Sequence, residues 1–127
     1  MDSQAPTIQF YEGISEQLSN VSLRRDPSTG GRRAILIFEQ LRSIEQFNSF
    51  RNRFSGSLQL IDQEGTISIE PAGVKFIFSG PEGDDLARVE CRLEIERDDY
   101  WERFMRFMRR YADANGMAYG DAGAGDA

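Results

Sequence analysis

Ala87-Arg88-Val89-Glu90-Cys91-Arg92-Leu93-Glu94-Ile95-Glu96 alternates apolar and charged residues without a break. Successive side chains of a strand point to opposite faces, so this period of two predicts a long strand. Ala87, Val89, Cys91, Leu93 and Ile95 face a core, and the charges face water. Directly afterwards the period changes. Trp101, Phe104, Met105, Met108, Tyr111 and Ala112 fall at offsets of 0, 3, 4, 7, 10 and 11, which is one apolar stripe on a helix. Asp98 or Asp99 opens that helix, with Glu102 spaced from Asp99 as in a capping box. Asn115-Gly116 closes it as a left-handed terminator. Tyr100 and Phe107 fall on the flank of the stripe, and Arg103, Arg106, Arg109 and Arg110 lie on the opposite face. A half-wet strand followed by a helix with one apolar face predicts a helix covering a sheet.

Further strands extend the sheet toward the N-terminus. Thr7–Tyr11 alternates strand-forming residues, and Asn20–Arg25 places Val21 and Leu23 on one side. Asp26-Pro27-Ser28-Thr29-Gly30-Gly31 concentrates turn chemistry before Arg33–Glu39, so these two strands form a hairpin. Within the second, Ala34-Ile35-Leu36-Ile37-Phe38 lacks polar alternation, which predicts a central strand covered on both faces. Ser57–Asp62 and Thr66–Glu70 flank the turn Glu64-Gly65 as a second hairpin, and Val74–Phe78 precedes the loop that leads into the long strand. Leu41–Phe54 reads as one or two helical turns. Residues 1–6 read as a frayed start, and the Gly/Ala/Asp segment 120–127 as a disordered tail. The expected architecture is α+β: one domain over residues 1–119, with a curved antiparallel sheet of about six strands and a long C-terminal helix packed on it.

The 127 residues, 39% hydrophobic and 28% charged, suit a single domain with its own core. The longest apolar run, Ala34–Phe38, is far shorter than the ~20 residues of a membrane-spanning helix. No signal-peptide pattern opens the chain. With no histidine, imidazole-activated nucleophiles and His-rich metal sites are excluded. A single cysteine, Cys91, fits a reducing compartment and, on the core face of its strand, is a buried thiol without chemistry. The acidic pairs Asp84-Asp85, Asp98-Asp99 and Glu94/Glu96 read as loop, cap and solvated-face residues. Asp62–Gly65 is a hairpin turn rather than the start of a calcium loop, because the later oxygen ligands are missing.

A net charge of −6 argues against a general nucleic-acid binder. Within that acidic average, fourteen of the fifteen basic residues are arginine, clustered at Arg24-Arg25, Arg32-Arg33 and Arg103–Arg110. Arginine presents a forked donor set to carboxylates and phosphates, so the pattern suggests a docking module. Charge alone nominates Arg24, Arg25, Arg32 and Arg33 as partner contacts. One rival reading is a single-stranded nucleic-acid module using arginine and aromatic side chains. Another is a small hydrolase or isomerase built on a buried carboxylate.

Trp101-Glu102-Arg103-Phe104-Met105-Arg106-Phe107-Met108, followed by Arg110-Tyr111-Ala112 and Asn115-Gly116, resembles the C-terminal signature of one family. It is the photosystem II assembly-factor family numbered subunit twenty-eight, the thirteen-kilodalton photosystem II protein. Ile8-Gln9-Phe10, Val21-Ser22-Leu23, Phe38-Glu39, the Asp62–Gly65 turn, Gly73 with Lys75-Phe76, and Gly80 extend the likeness over nearly the whole chain. Leu41–Phe54, the arginine-rich hairpin and the tail depart from the common pattern, which suits a divergent second paralogue. The resemblance implies a cofactor-free, non-enzymatic protein on the cytosolic or stromal face of immature photosystem II, peripheral to the thylakoid membrane. Its implied partners are the inner chlorophyll-binding antenna subunit, reaction-centre subunits near the acceptor side and the cytochrome b subunit, reached in part by sheet extension. By position, the resemblance adds Lys75, Arg103 and Arg106 to the candidate contacts.

Overall fold

The structure, a computed structural model, describes residues 5–25, 27–44 and 56–117. Among the described residues eight strands pair antiparallel, and one helix follows them. The strands are β1 (Thr7–Tyr11), β2 (Ile14–Glu16), β3 (Asn20–Arg25), β4 (Arg32–Phe38), β5 (Leu58–Asp62), β6 (Gly65–Ile69), β7 (Gly73–Ser79) and β8 (Asp85–Ile95). The helix α1 spans Asp98–Asn115. The class and the C-terminal helix match the sequence reading, while the strands divide between two four-stranded sheets, ordered β2-β1-β5-β6 and β3-β4-β8-β7. β2 carries no alternation, since its buried position is the carboxylate of Glu16. That carboxylate accepts the backbone N–H groups of Arg42 and Ser43 at 2.7 and 3.1 Å and also the Ser43 hydroxyl, so the chain after β4 is tied back to β2. The reading of Leu41–Phe54 as helical turns lies mostly outside the described residues, as does the disordered tail.

The core is built from the faces that alternation selects. Val89, Cys91, Leu93 and Ile95 of β8 meet Ala34, Leu36 and Phe38 of β4, and Ile8, Phe10, Leu58 and Leu60 supply the first sheet. Phe10 and Phe38 meet edge-on with ring centres 5.5 Å apart, so an aromatic contact joins one sheet to the other. β4 is central, as its unbroken apolar run predicts. Its second face is not covered, however: Ile35 and Ile37 are half-buried, flanked across the strands by Ser22, Asn20, Arg92 and Glu90.

Helix α1 touches β5 of one sheet and β8 of the other. Phe104, Phe107, Met108, Tyr111 and Ala112 are its buried residues. The helix is therefore rolled from the expected stripe, so that Phe107 is fully buried while Trp101 and Met105 sit at the rim and Tyr100 is exposed. The expected N-cap is also displaced. Arg97 occupies the cap in extended conformation and supplies no side-chain hydrogen bond. Asp98 and Asp99 fall in the first turn, where their charge favours the positive end of the helix dipole. At the other end Gly116 takes a left-handed φ of 68°, and Met117 N–H reaches Ala112 O at 2.9 Å, the Schellman closure that its sequence predicts.

Tyr111 anchors the helix to the β2–β3 connection. Its buried hydroxyl accepts the N–H of Leu18 at 3.0 Å and donates to Glu16 O at 3.4 Å. A Tyr111→Phe substitution keeps the ring and leaves the Leu18 N–H without an acceptor. It is expected to lower unfolding stability by about 1–3 kcal/mol, read as a drop in the urea midpoint at unchanged m-value.

Candidate functional site

Because β8 buries its odd-numbered residues from Val89 to Ile95, the register places all its charges on the opposite face of the second sheet. Across that face run Arg24–Arg33–Glu94, Ser22–Ile35–Arg92–Gly73 and Asn20–Ile37–Glu90–Lys75, with Arg88 beside Ile77 at the far end. Arg24, Arg33, Lys75, Arg88 and Arg92 thus share one face with two carboxylates, Glu90 and Glu94. A chain of net charge −6 presents a sheet face with an excess of positive charge, laid around the half-buried Ile35, Ile37 and Ile77. Glu90 pairs with Arg88 at 2.9 Å, whereas Glu94 lies between Arg92 at 3.7 Å and Arg33 at 4.0 Å. Among the described residues neither Arg24 nor Lys75 has a carboxylate partner.

The other candidate arginines are placed differently. Arg25 and Arg32 face each other across the hairpin on the side that carries the core. Arg32 donates to Asp98 at 2.6 Å and lies 5.8 Å from the centre of the Trp101 ring, which ties the hairpin to the start of α1. Both rungs of like charge border a cleft of about 390 Å³, lined by the four hairpin arginines, Pro27, Thr29, Gly31, Glu94 and Glu96.

Arg103 and Arg106 are turned inward to the protein itself. Asp62, at the end of β5 with its side chain wholly buried, accepts two hydrogen bonds from Arg103, at 2.7 and 3.0 Å, and one from Arg110 at 3.0 Å. Its Oδ1 also receives the N–H of Glu64 at 2.9 Å, which shapes the turn. Glu64 holds Arg106 through two bonds of 2.8 and 3.0 Å and lies 2.7 Å from Arg110. The arginines recur at spacings of three and four and form a single stripe that grips the β5–β6 turn. Burial pushes the Asp62 carboxyl up, and the bonds from Arg103, Arg110 and the turn outweigh it, so its pKa lies below the usual value. The Arg106 and Arg110 guanidiniums lower Glu64 from 4.5 to about 2.

Sequence reasoning left Arg88 and Arg92 as solvated charges. Alternation put them on the wet face, but nothing local told that β4 and β7 bring Arg33 and Lys75 alongside. Cys91 is buried among apolar residues, which pushes its thiol up to about 12, in keeping with the absence of assigned chemistry. Among the described residues no cluster of three metal-ligating side chains occurs, and no helix is long and apolar enough to cross a membrane.

Fold and surface together define a small two-sheet α+β protein with a helix clamped over it and a cationic sheet face. The family model described as Psb28 protein matches residues 8–119. The photosystem II reaction center Psb28 protein of Trieres chinensis is 34% identical over 115 residues, covering 88% of this chain and 93% of that one. The protein of the same name from Guillardia theta is 30% identical over 115 residues, covering 88% and 92%. The chloroplastic Arabidopsis thaliana protein is 30% identical over 115 residues, covering 90% of this chain and 59% of the relative. The chain belongs to the Psb28 family of photosystem II proteins.

The clamp makes an acid-side prediction. A carboxylate whose folded pKa is depressed stabilises the fold above its unfolded pKa, and that contribution is lost as pH falls through the folded value. For Glu64 the window runs from about 4.5 down to about 2. Glu64→Gln should therefore flatten the fall of stability across that window in thermal melts. Asp62→Ala, which strands Arg103 and Arg110 against a buried site, should cost about 3 kcal/mol at neutral pH.

Proposed function

We propose that this protein is a non-enzymatic photosystem II assembly or repair factor, docking peripherally on the cytosolic or stromal face of immature complexes. The supporting observation is the excess of cations on one exposed sheet face of an acidic member of the Psb28 family. Acidic loops near the inner antenna subunit, the acceptor side and the cytochrome b subunit are the complementary surface in this reading. Charge complementarity of that kind steers association and sets orientation. Arg24, Arg33 and Lys75, with Arg88 and Arg92, make the contacts, and Arg25 and Arg32 extend them at the hairpin. Arg103 and Arg106 act at one remove, by holding the helix and the β5–β6 turn in place. β3 and β7 end their sheet, so either edge offers backbone groups for an extended partner segment.

A tagged pull-down from solubilised photosynthetic membranes tests this, comparing wild type with Arg24→Ala/Arg33→Ala/Lys75→Ala. Antenna and reaction-centre subunits should copurify with wild type and be lost from the variant, and wild-type capture should weaken as salt is raised. Equal capture by both chains would remove the face from the contact. No photosystem subunit with wild type would remove the role.

A further inference from the structure

We infer that the groove between β6, the end of β8 and the start of α1 seats a basic, aliphatic segment of a partner polypeptide. Its lining lies within two unbroken described stretches, 67–70 and 94–103, around a volume of about 570 Å³. Ile67 and Ile69 stand opposite Leu60 and Leu58, on the core face of the first sheet, and Ile95 lies on the core face of the second. Here the two apolar faces reach the surface together. Ile67 and Ile69 are only half-buried, and Tyr100 beside them is 58% exposed. An exposed ring ordinarily loses rotamer freedom when a partner covers it, which weakens binding. At Tyr100 that freedom is already restricted. Arg97 lies 4.3 Å from the centre of its ring and donates to its hydroxyl at 3.3 Å. Asp99 in turn holds Arg97 through bonds of 2.8 and 3.1 Å. A concave apolar floor beside a pre-set tyrosine has the make-up of a protein-binding hot spot.

Charge selects the occupant. Both cations that line the groove are engaged within the protein, Arg97 by Asp99 at 2.8 Å and Arg103 by Asp62 at 2.7 Å. Glu70 lines the groove from the β6 side and Glu96 from the β8 side, and among the described residues neither belongs to an ion pair. An acidic segment meets two carboxylates there and no disengaged cation. A segment with an aliphatic side chain between lysines fills the floor and brings a cation to each carboxylate. The floor belongs to the core side of both sheets, whereas the cationic residues stand on the outer side of the second. The inference therefore does not rest on the photosystem reading.

The test is an amide NMR titration of the full chain with the peptide acetyl-Lys-Leu-Lys-Leu-Lys-amide at fixed ionic strength. Saturable shifts centred on Ile67, Ser68, Glu70, Glu96 and Tyr100 are expected. Replacing both leucines of the peptide by serine should weaken binding at least about tenfold, because the apolar contact is lost. Replacing its lysines by glutamate should weaken it by at least as much. Tyr100→Ala should lower affinity about tenfold, and Glu70→Gln/Glu96→Gln should remove most of the salt dependence. Both variants alter exposed side chains, so unchanged melting temperatures separate lost binding from lost folding. Absence of saturable shifts, equal binding of the glutamate peptide, or wild-type affinity in Tyr100→Ala would overturn the inference. So would shifts confined to carboxylates elsewhere on this acidic chain.

Discussion

The buried carboxylate of Asp62 organises the contact between helix and sheet. Asp62 closes β5, caps its own turn and is gripped by arginines one and three turns along the helix. A carboxylate without surface is tolerable only because every approach to it is occupied by a donor. The position of the hairpin therefore dictates where Arg103 and Arg110 must lie, and with them the roll of α1. That roll sends Phe107 into the core and leaves Trp101 at the rim, where Arg32 stacks near it. The same roll of the helix thus satisfies both the donors around Asp62 and the burial of Phe104, Phe107 and Met108.

Much of the fold is readable along the chain because each signal is local. The alternation of β8, the apolar run of β4 and the glycine closure of α1 depend on neighbours in sequence. The division into two sheets depends instead on β1 finding β5 and β4 finding β8, pairings that no local period encodes. The same limit governed the site. Arg24 and Arg33 are visible as a charge cluster, but their separation from Arg25 and Arg32 onto opposite faces follows from register. Arg88 and Arg92 join them only through strand order. The helix arginines show the converse: an exposed-looking stripe in sequence has its partners in a turn some forty residues earlier.

Charge in this member of the Psb28 family is sorted by location. Carboxylates dominate the chain as a whole, yet those at the β5–β6 turn are consumed in holding the helix, and the cations of the second sheet remain outward. The framework and the surface are built from the same residue types. Only their pairing distinguishes them.

The arginines of β3 also bear on what the protein avoids. β3 is an end strand, and exposed backbone edges are templates for indiscriminate pairing between chains. Arg24 and Arg25 leave that edge ending in two adjacent positive charges. Two molecules approaching edge to edge bring like charges together, while a foreign acidic strand meets attraction. The hairpin charge thereby works against edge-to-edge pairing of two copies, by the same electrostatics that makes the edge more tolerant of an acidic strand.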